Sequence, residues 1–100
     1  MPEKHPWSVM VGCGDQLCWF PTFARAEAWA RKQQIAIFRA DGLADSVEID
    51  YRGMTVARVK VDGLDRVWTE LIAFPGPPDA WQLEIALAAR EPVAEELAHV

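Results

Sequence analysis

Period-two alternation over residues 47–61 leaves little freedom in how this chain folds. Val47-Glu48-Ile49-Asp50-Tyr51 alternates apolar and polar residues, and Thr55-Val56-Ala57-Arg58-Val59-Lys60-Val61 follows after Arg52-Gly53. This pattern sends successive side chains to opposite faces and marks half-buried strands. A three-residue loop sets Val47, Ile49 and Tyr51 on the same face as Thr55, Ala57 and Val59. A two-residue loop would set them against Arg58 instead. The three-residue loop also brings Glu48 and Asp50 near Arg58 and Lys60 on the wet face, a favourable cross-strand arrangement. A hairpin with one dry face must be covered. In a chain of 100 residues, the cover has to come from the same single domain, residues 1–100.

The flanking segments supply more strands and the helices. Trp7, Val9 and Val11 share one face of a strand, Gly12, Gly14 and Asp15 mark a turn, and Leu17-Cys18-Trp19-Phe20 reads as the returning strand. With Asp15-Gln16 as a two-residue loop, Cys13 falls opposite Cys18 and Val11 opposite Phe20. Thr22 caps a helix over 23–34, with Phe23, Ala26 and Ala30 as its apolar stripe. Arg25 and Lys32 lie opposite that stripe, and Trp29 sits at its edge. Ile35-Ala36-Ile37-Phe38 reads as a short strand buried on both faces and ended by Asp41-Gly42.

In residues 62–74, Leu64, Val67, Trp68, Leu71 and Ile72 have helical spacing behind an Asp62 cap. A helix is preferred there over a final strand from Thr69 to Phe74. Phe74-Pro75-Gly76-Pro77-Pro78 is a firm break. Asp79 caps a last helix whose stripe is Trp81, Ile85 and either Leu87 or Ala88, with Leu83 alongside. Pro92 starts a short helix that ends at His99. Residues 1–6 form a flexible N-terminal segment. The resulting order is β-β-α-β-β-β-α-α. The fold class is α+β, an antiparallel sheet of about four to five strands with helices packed mainly on one face.

Charge and composition narrow the function. Net charge is −5. Residues 1–40 carry +2 and residues 41–100 carry −7. Nucleic-acid binding is disfavoured, because neutralising phosphates takes clustered Lys and Arg; the acidic part suits a basic protein partner. The polar start Met1-Pro2-Glu3-Lys4-His5-Pro6 lacks the apolar run of a secretory leader, and no apolar stretch has the length of a membrane span, so the expected compartment is the cytoplasm.

Catalytic and metal constellations are missing from the pattern. Cys13 and Cys18 have no second pair to complete a zinc site, and no metal or cofactor is expected. Their alternative use is a reversible disulfide in a thiol sensor; the bland use is as two small hydrophobes on a hairpin. His5 and His99 lie near the ends and read as solvated side chains rather than as an acid–base pair. The spacings Asp41 to Asp45 and Asp62 to Asp65 do not make a calcium loop. No catalytic role is assigned.

Tryptophan is the feature left to explain. Trp7, Trp19, Trp29, Trp68 and Trp81 stand against one Tyr and four Phe. Each indole buries about 150–250 Å², and a domain this small encloses two or three. The hairpin sets Trp19 with Met10 and Leu17 on the face away from Val9, Val11 and Phe20. Trp19, Trp29, Met10 and Leu17 are therefore the expected contact residues of a non-enzymatic protein-interaction domain. Such a domain would serve as an adaptor, inhibitor, immunity-type or accessory factor, and self-association into a homodimer would use the same surface. The second expectation is a dimeric small-molecule-binding domain or cofactor-free enzyme with a Trp-lined pocket.

Overall fold

A computed structural model of the chain describes residues 4–12, 16–64, 66–72 and 78–90. Their elements are β1 (Trp7–Val11), β2 (Gln16–Phe20), α1 (Phe23–Asp41), β3 (Val47–Tyr51), β4 (Met54–Val61), β5 (Val67–Leu71) and α2 (Ala80–Arg90). The five strands form one antiparallel sheet in the order β2-β1-β3-β4-β5. The α+β class, the antiparallel sheet and the helical cover on one face are as the sequence predicts. The expected short helix after Pro92 lies outside the described residues.

Two assignments along the chain change. Ile35–Phe38 is not a strand but part of the second half of α1, which runs on to Asp41. The helix stops where Gly42 takes a left-handed conformation, φ 74°, and donates its N–H to the Phe38 carbonyl at 2.7 Å. Residues 67–71 are not helical but form the edge strand β5, paired with β4 from Val61↔Val67 to Ala57↔Leu71. Asp62 caps a tight turn there instead of a helix. Its Oδ1 accepts from the Leu64 and Arg66 N–H groups at 2.9 and 3.3 Å, and Oδ2 pairs with the Arg66 guanidinium at 2.9 Å.

Both hairpins keep their predicted faces with different loops. In the first, Trp7 faces Phe20, Val9 faces Cys18 and Val11 faces Gln16. The strands end at Val11 and Gln16, so the connection is four residues long rather than two. The second hairpin turns on Arg52-Gly53 alone, with φ 49° and 84°, and Tyr51 faces Met54. Two residues with positive φ match the twist of a tight hairpin. A bulge between Ile49 and Asp50 then slips the register by one, restoring Ile49 opposite Ala57 and Glu48 opposite Arg58. The three-residue register thus holds beyond the bulge, while Thr55 faces Asp50 rather than joining Val47, Ile49 and Tyr51.

The core lies between the sheet and the helices. Trp7, Val9, Val11, Val47, Ile49, Val56, Ala57 and Val59 meet Phe23, Ala26 and Ala30 of α1 and Ile85 of α2. Trp7 packs edge-on to Phe23 at 5.2 Å and tilted against Tyr51 at 4.8 Å, and Tyr51 stacks on Trp81 at 5.4 Å. Such pairs contribute about 0.5–1.5 kcal/mol beyond burial alone. Of the two stripe residues left open for α2, Ala88 packs toward the core and Leu87 is exposed. The buried Gln34 fixes the loop before β3. Its Nε2 donates to the Asp45 and Val59 carbonyls at 2.7 and 2.8 Å, and its Oε1 accepts from the Asp45 N–H at 3.0 Å. No helix among the described residues is long and apolar enough to cross a membrane.

Candidate functional site

Helix α1 presents two stripes besides its core face. Thr22 starts it, accepting from the Arg25 N–H at 3.3 Å, and the Glu84 carboxylate of α2 accepts from the Phe23 N–H. The N-terminal N–H groups are thereby partly satisfied from within, and the negative charge suits the positive end of the helix dipole. On the side over β5, Arg31 pairs with Glu27 at 3.8 Å and donates to the Thr69 hydroxyl at 3.2 Å. On the side over β2, Arg25, Ala28, Trp29 and Lys32 follow the spacing i, i+3, i+4, i+7, which places them on one stripe.

That second stripe forms one wall of a surface groove of about 440 Å³. Trp19, Phe20 and Pro21 at the end of β2 form the other wall, and His5 closes one side. Phe20 and Trp29 meet across the floor with ring centroids 5.7 Å apart. The groove is aromatic at its base and basic at its rim. Arg25 and Lys32 are exposed, and neither forms an ion pair with a described residue. Arg31, Arg58 and Arg66 are by contrast engaged with Glu27, Glu48 and Asp62.

The structure brings Trp19 and Trp29 together in this groove. By register Trp19 shares the outer face of the sheet with Leu17 and Met10, which pair with each other in the β1–β2 ladder, and Trp19 lines the groove from the sheet edge. Leu17 is 46% exposed there. Cys18 faces the helix side opposite Val9, not opposite Cys13. The register that set the two sulfurs side by side is therefore corrected, since the loop is longer than two residues. Cys13 itself and His99 lie outside the described residues. Among the described residues, no group of three or more His, Cys, Asp or Glu side chains is close enough to share a metal ion.

Sequence reasoning takes Arg25 and Lys32 for ordinary surface charge able at most to touch an anion, and it reads His5 as a solvated terminal side chain. The i, i+3, i+4, i+7 stripe was available as a signal for Arg25 and Lys32. No local signal marks His5, which reaches the groove only because the chain enters β1 beside the end of β2.

A second polar feature occupies the helix-free face. Asp50 is 8% exposed, and its Oδ1 has no hydrogen-bond partner among the described residues. Burial pushes its carboxyl above the ordinary carboxylate range; the Thr55 hydroxyl partly offsets this, and the Glu48 charge adds to it. Ser8, its cross-strand neighbour, is also buried. The described residues place no base or cation against this carboxyl, so the pair forms no nucleophilic arrangement.

No protein-family model matches the sequence, and no curated protein or solved structure matches it either. The residues and their geometry carry the functional reading.

Proposed function

We propose that this chain is a protein-interaction domain that holds its partner in the groove between β2 and α1. The convergence of Trp19 and Trp29 with Arg25, Lys32 and His5 on one concave surface carries this reading. Indoles at a partly exposed surface are the usual anchors of binding, because they bury a large area at small cost in side-chain entropy. Uncommitted cations beside them add charge selectivity. The net charge of −5 suggests a basic partner, but the groove is built from the basic first third of the chain. Its local charge favours an acidic partner surface.

Capture of partners by the full chain tests this. Trp29→Ala and Lys32→Glu should each lose the bound proteins, while Trp68→Ala, on the strand at the opposite edge of the sheet, should keep them. Retention of every partner by the two groove variants would remove the groove from the contact.

A second reading uses the same residues. The groove's volume lies within the range of about 300–1,000 Å³ for small-ligand sites, and its chemistry suits an aromatic carboxylate. Titration with indole acetate, followed by tryptophan fluorescence, separates the two. Saturable micromolar binding favours the small ligand, and its absence leaves the protein contact.

A further inference from the structure

The backbone of β2 adds information that the side chains of the groove do not hold. β2 is an edge of the sheet, with β1 on one side and no described strand on the other. Hydrogen bonds at the two ends of the β1–β3 ladder fix which way its groups point. Arg52 donates to the Pro6 carbonyl and Gly12 to the Ser46 carbonyl, at 2.8 and 2.7 Å. In an antiparallel ladder, backbone groups alternate between the two neighbours. The even residues of β1 therefore bond to β3, and Trp7, Val9 and Val11 bond to Phe20, Cys18 and Gln16. The N–H and C=O groups of Leu17 and Trp19 are left pointing to the open edge, beside the groove.

We infer that the groove takes its partner as an extended acidic segment that adds to the sheet as a sixth strand along β2. This rests on the groove being the contact surface. Strand addition draws affinity from main-chain hydrogen bonds and selectivity from alternate side chains. Both are laid out here. An added strand would send one set of side chains toward Trp29, Arg25 and Lys32, and the other toward the outer face beside Leu17 and Trp19. The fitting segment alternates acidic residues with apolar ones. Pro21 has no N–H, so the ladder stops at Trp19 and the segment is short. The other edge, β5, is built differently. By the same alternation its outward groups belong to Val67, Thr69 and Leu71, and the helix side chain above it, Arg31, is already bonded to the Thr69 hydroxyl.

The probe is a displayed library of random decapeptides selected on the full-length chain. The expected consensus alternates Asp or Glu with apolar residues. The selected peptide is then synthesised with N-methyl groups on one alternate set of amides, or on the other. One set should weaken binding at least tenfold and the other should not, because only alternate amides face β2. Binding should slow hydrogen exchange at the Leu17 and Trp19 amides. Lys32→Glu should weaken the peptide about tenfold. Leu17→Pro removes one edge donor but no β1–β2 ladder bond, and should weaken it well beyond Leu17→Ala, which loses side-chain contact alone.

Equal binding by both methylated peptides, or unchanged exchange at Leu17 and Trp19, would overturn strand addition yet leave the groove as the contact. A basic or helical consensus, or no enrichment, would overturn the acidic extended partner. The groove itself fails only if Trp29→Ala and Lys32→Glu keep every partner of the chain. The methylated peptides keep the inference testable should Leu17→Pro fail to fold.

Discussion

Asp50 is the residue whose placement costs the fold most visibly. Burial, partly offset by the Thr55 hydroxyl and reinforced by the Glu48 charge, raises its carboxyl above the ordinary carboxylate range. The native state therefore holds this proton to higher pH than the unfolded chain. Its contribution to stability is complete below the unfolded value and is lost as pH rises through the folded one. Asp50→Asn should raise the melting temperature at pH 7, and the gain should shrink toward zero near pH 3. Thermal unfolding at the two pH values checks the sign; a variant less stable at pH 7 would mean that the ionised carboxylate has a compensating partner. Gln34 is the opposite case, a buried polar group with its needs met. Gln34→Leu should destabilise by about 1–3 kcal/mol in chemical denaturation, because it strands backbone groups of Asp45 and Val59. Neither role was legible locally. Gln34 follows Ala30 by four residues and looks like a flaw in an apolar stripe until its partners, 11 and 25 residues away, are known.

At the scale of elements, the legible parts were those whose signal is local and periodic. The alternation in β3 and β4, the Thr22 cap and the Phe23–Ala26–Ala30 stripe all carry their own structure. Ile35–Phe38 does not, because four apolar residues fit a buried strand or one helical turn equally well. What decided it was the Gly42 stop and the continuation of the stripe through Gln34. Residues 62–72 misled for a related reason. An aspartate that accepts from N–H groups two and four residues on serves a turn as well as a helix start, and pairing with β4 overrode the helical spacing. The hairpin turn is the element most exposed to a single change. Gly53 has φ 84°, so Gly53→Ala should cost about 1–2 kcal/mol through the left-handed conformation alone. No atom of the described residues, its two chain neighbours aside, lies within 4 Å of the added Cβ, so denaturant titration would report backbone strain free of any clash with them. An unchanged midpoint would show that the turn relaxes to another type.

Across the whole molecule, the inventory of indoles divides as a small domain requires. Trp7 is fully enclosed, Trp19, Trp29 and Trp81 are half-buried, and Trp68 is 41% exposed. The surplus was legible from the sequence, but the placing of Trp19 and Trp29 on one groove depended on α1 crossing behind β2. Charge divides as well. The groove draws on residues 5–32, whereas residues 41–100 hold the −7. An acidic segment approaching from beyond a Debye length, about 10 Å at 0.1 M salt, meets the sum of −5. Only near contact do Arg25 and Lys32 dominate. Screening should therefore act in opposite directions on the two stages of binding. Raising salt from about 10 to 150 mM should speed association of the selected acidic peptide by relieving long-range repulsion. It should also speed dissociation by weakening the two contacts at the rim. Stopped-flow tryptophan fluorescence resolves both rates. A fall in the association rate over that range would mean that the rim cations steer the approach themselves and that the acidic remainder of the molecule lies too far from the groove to be felt.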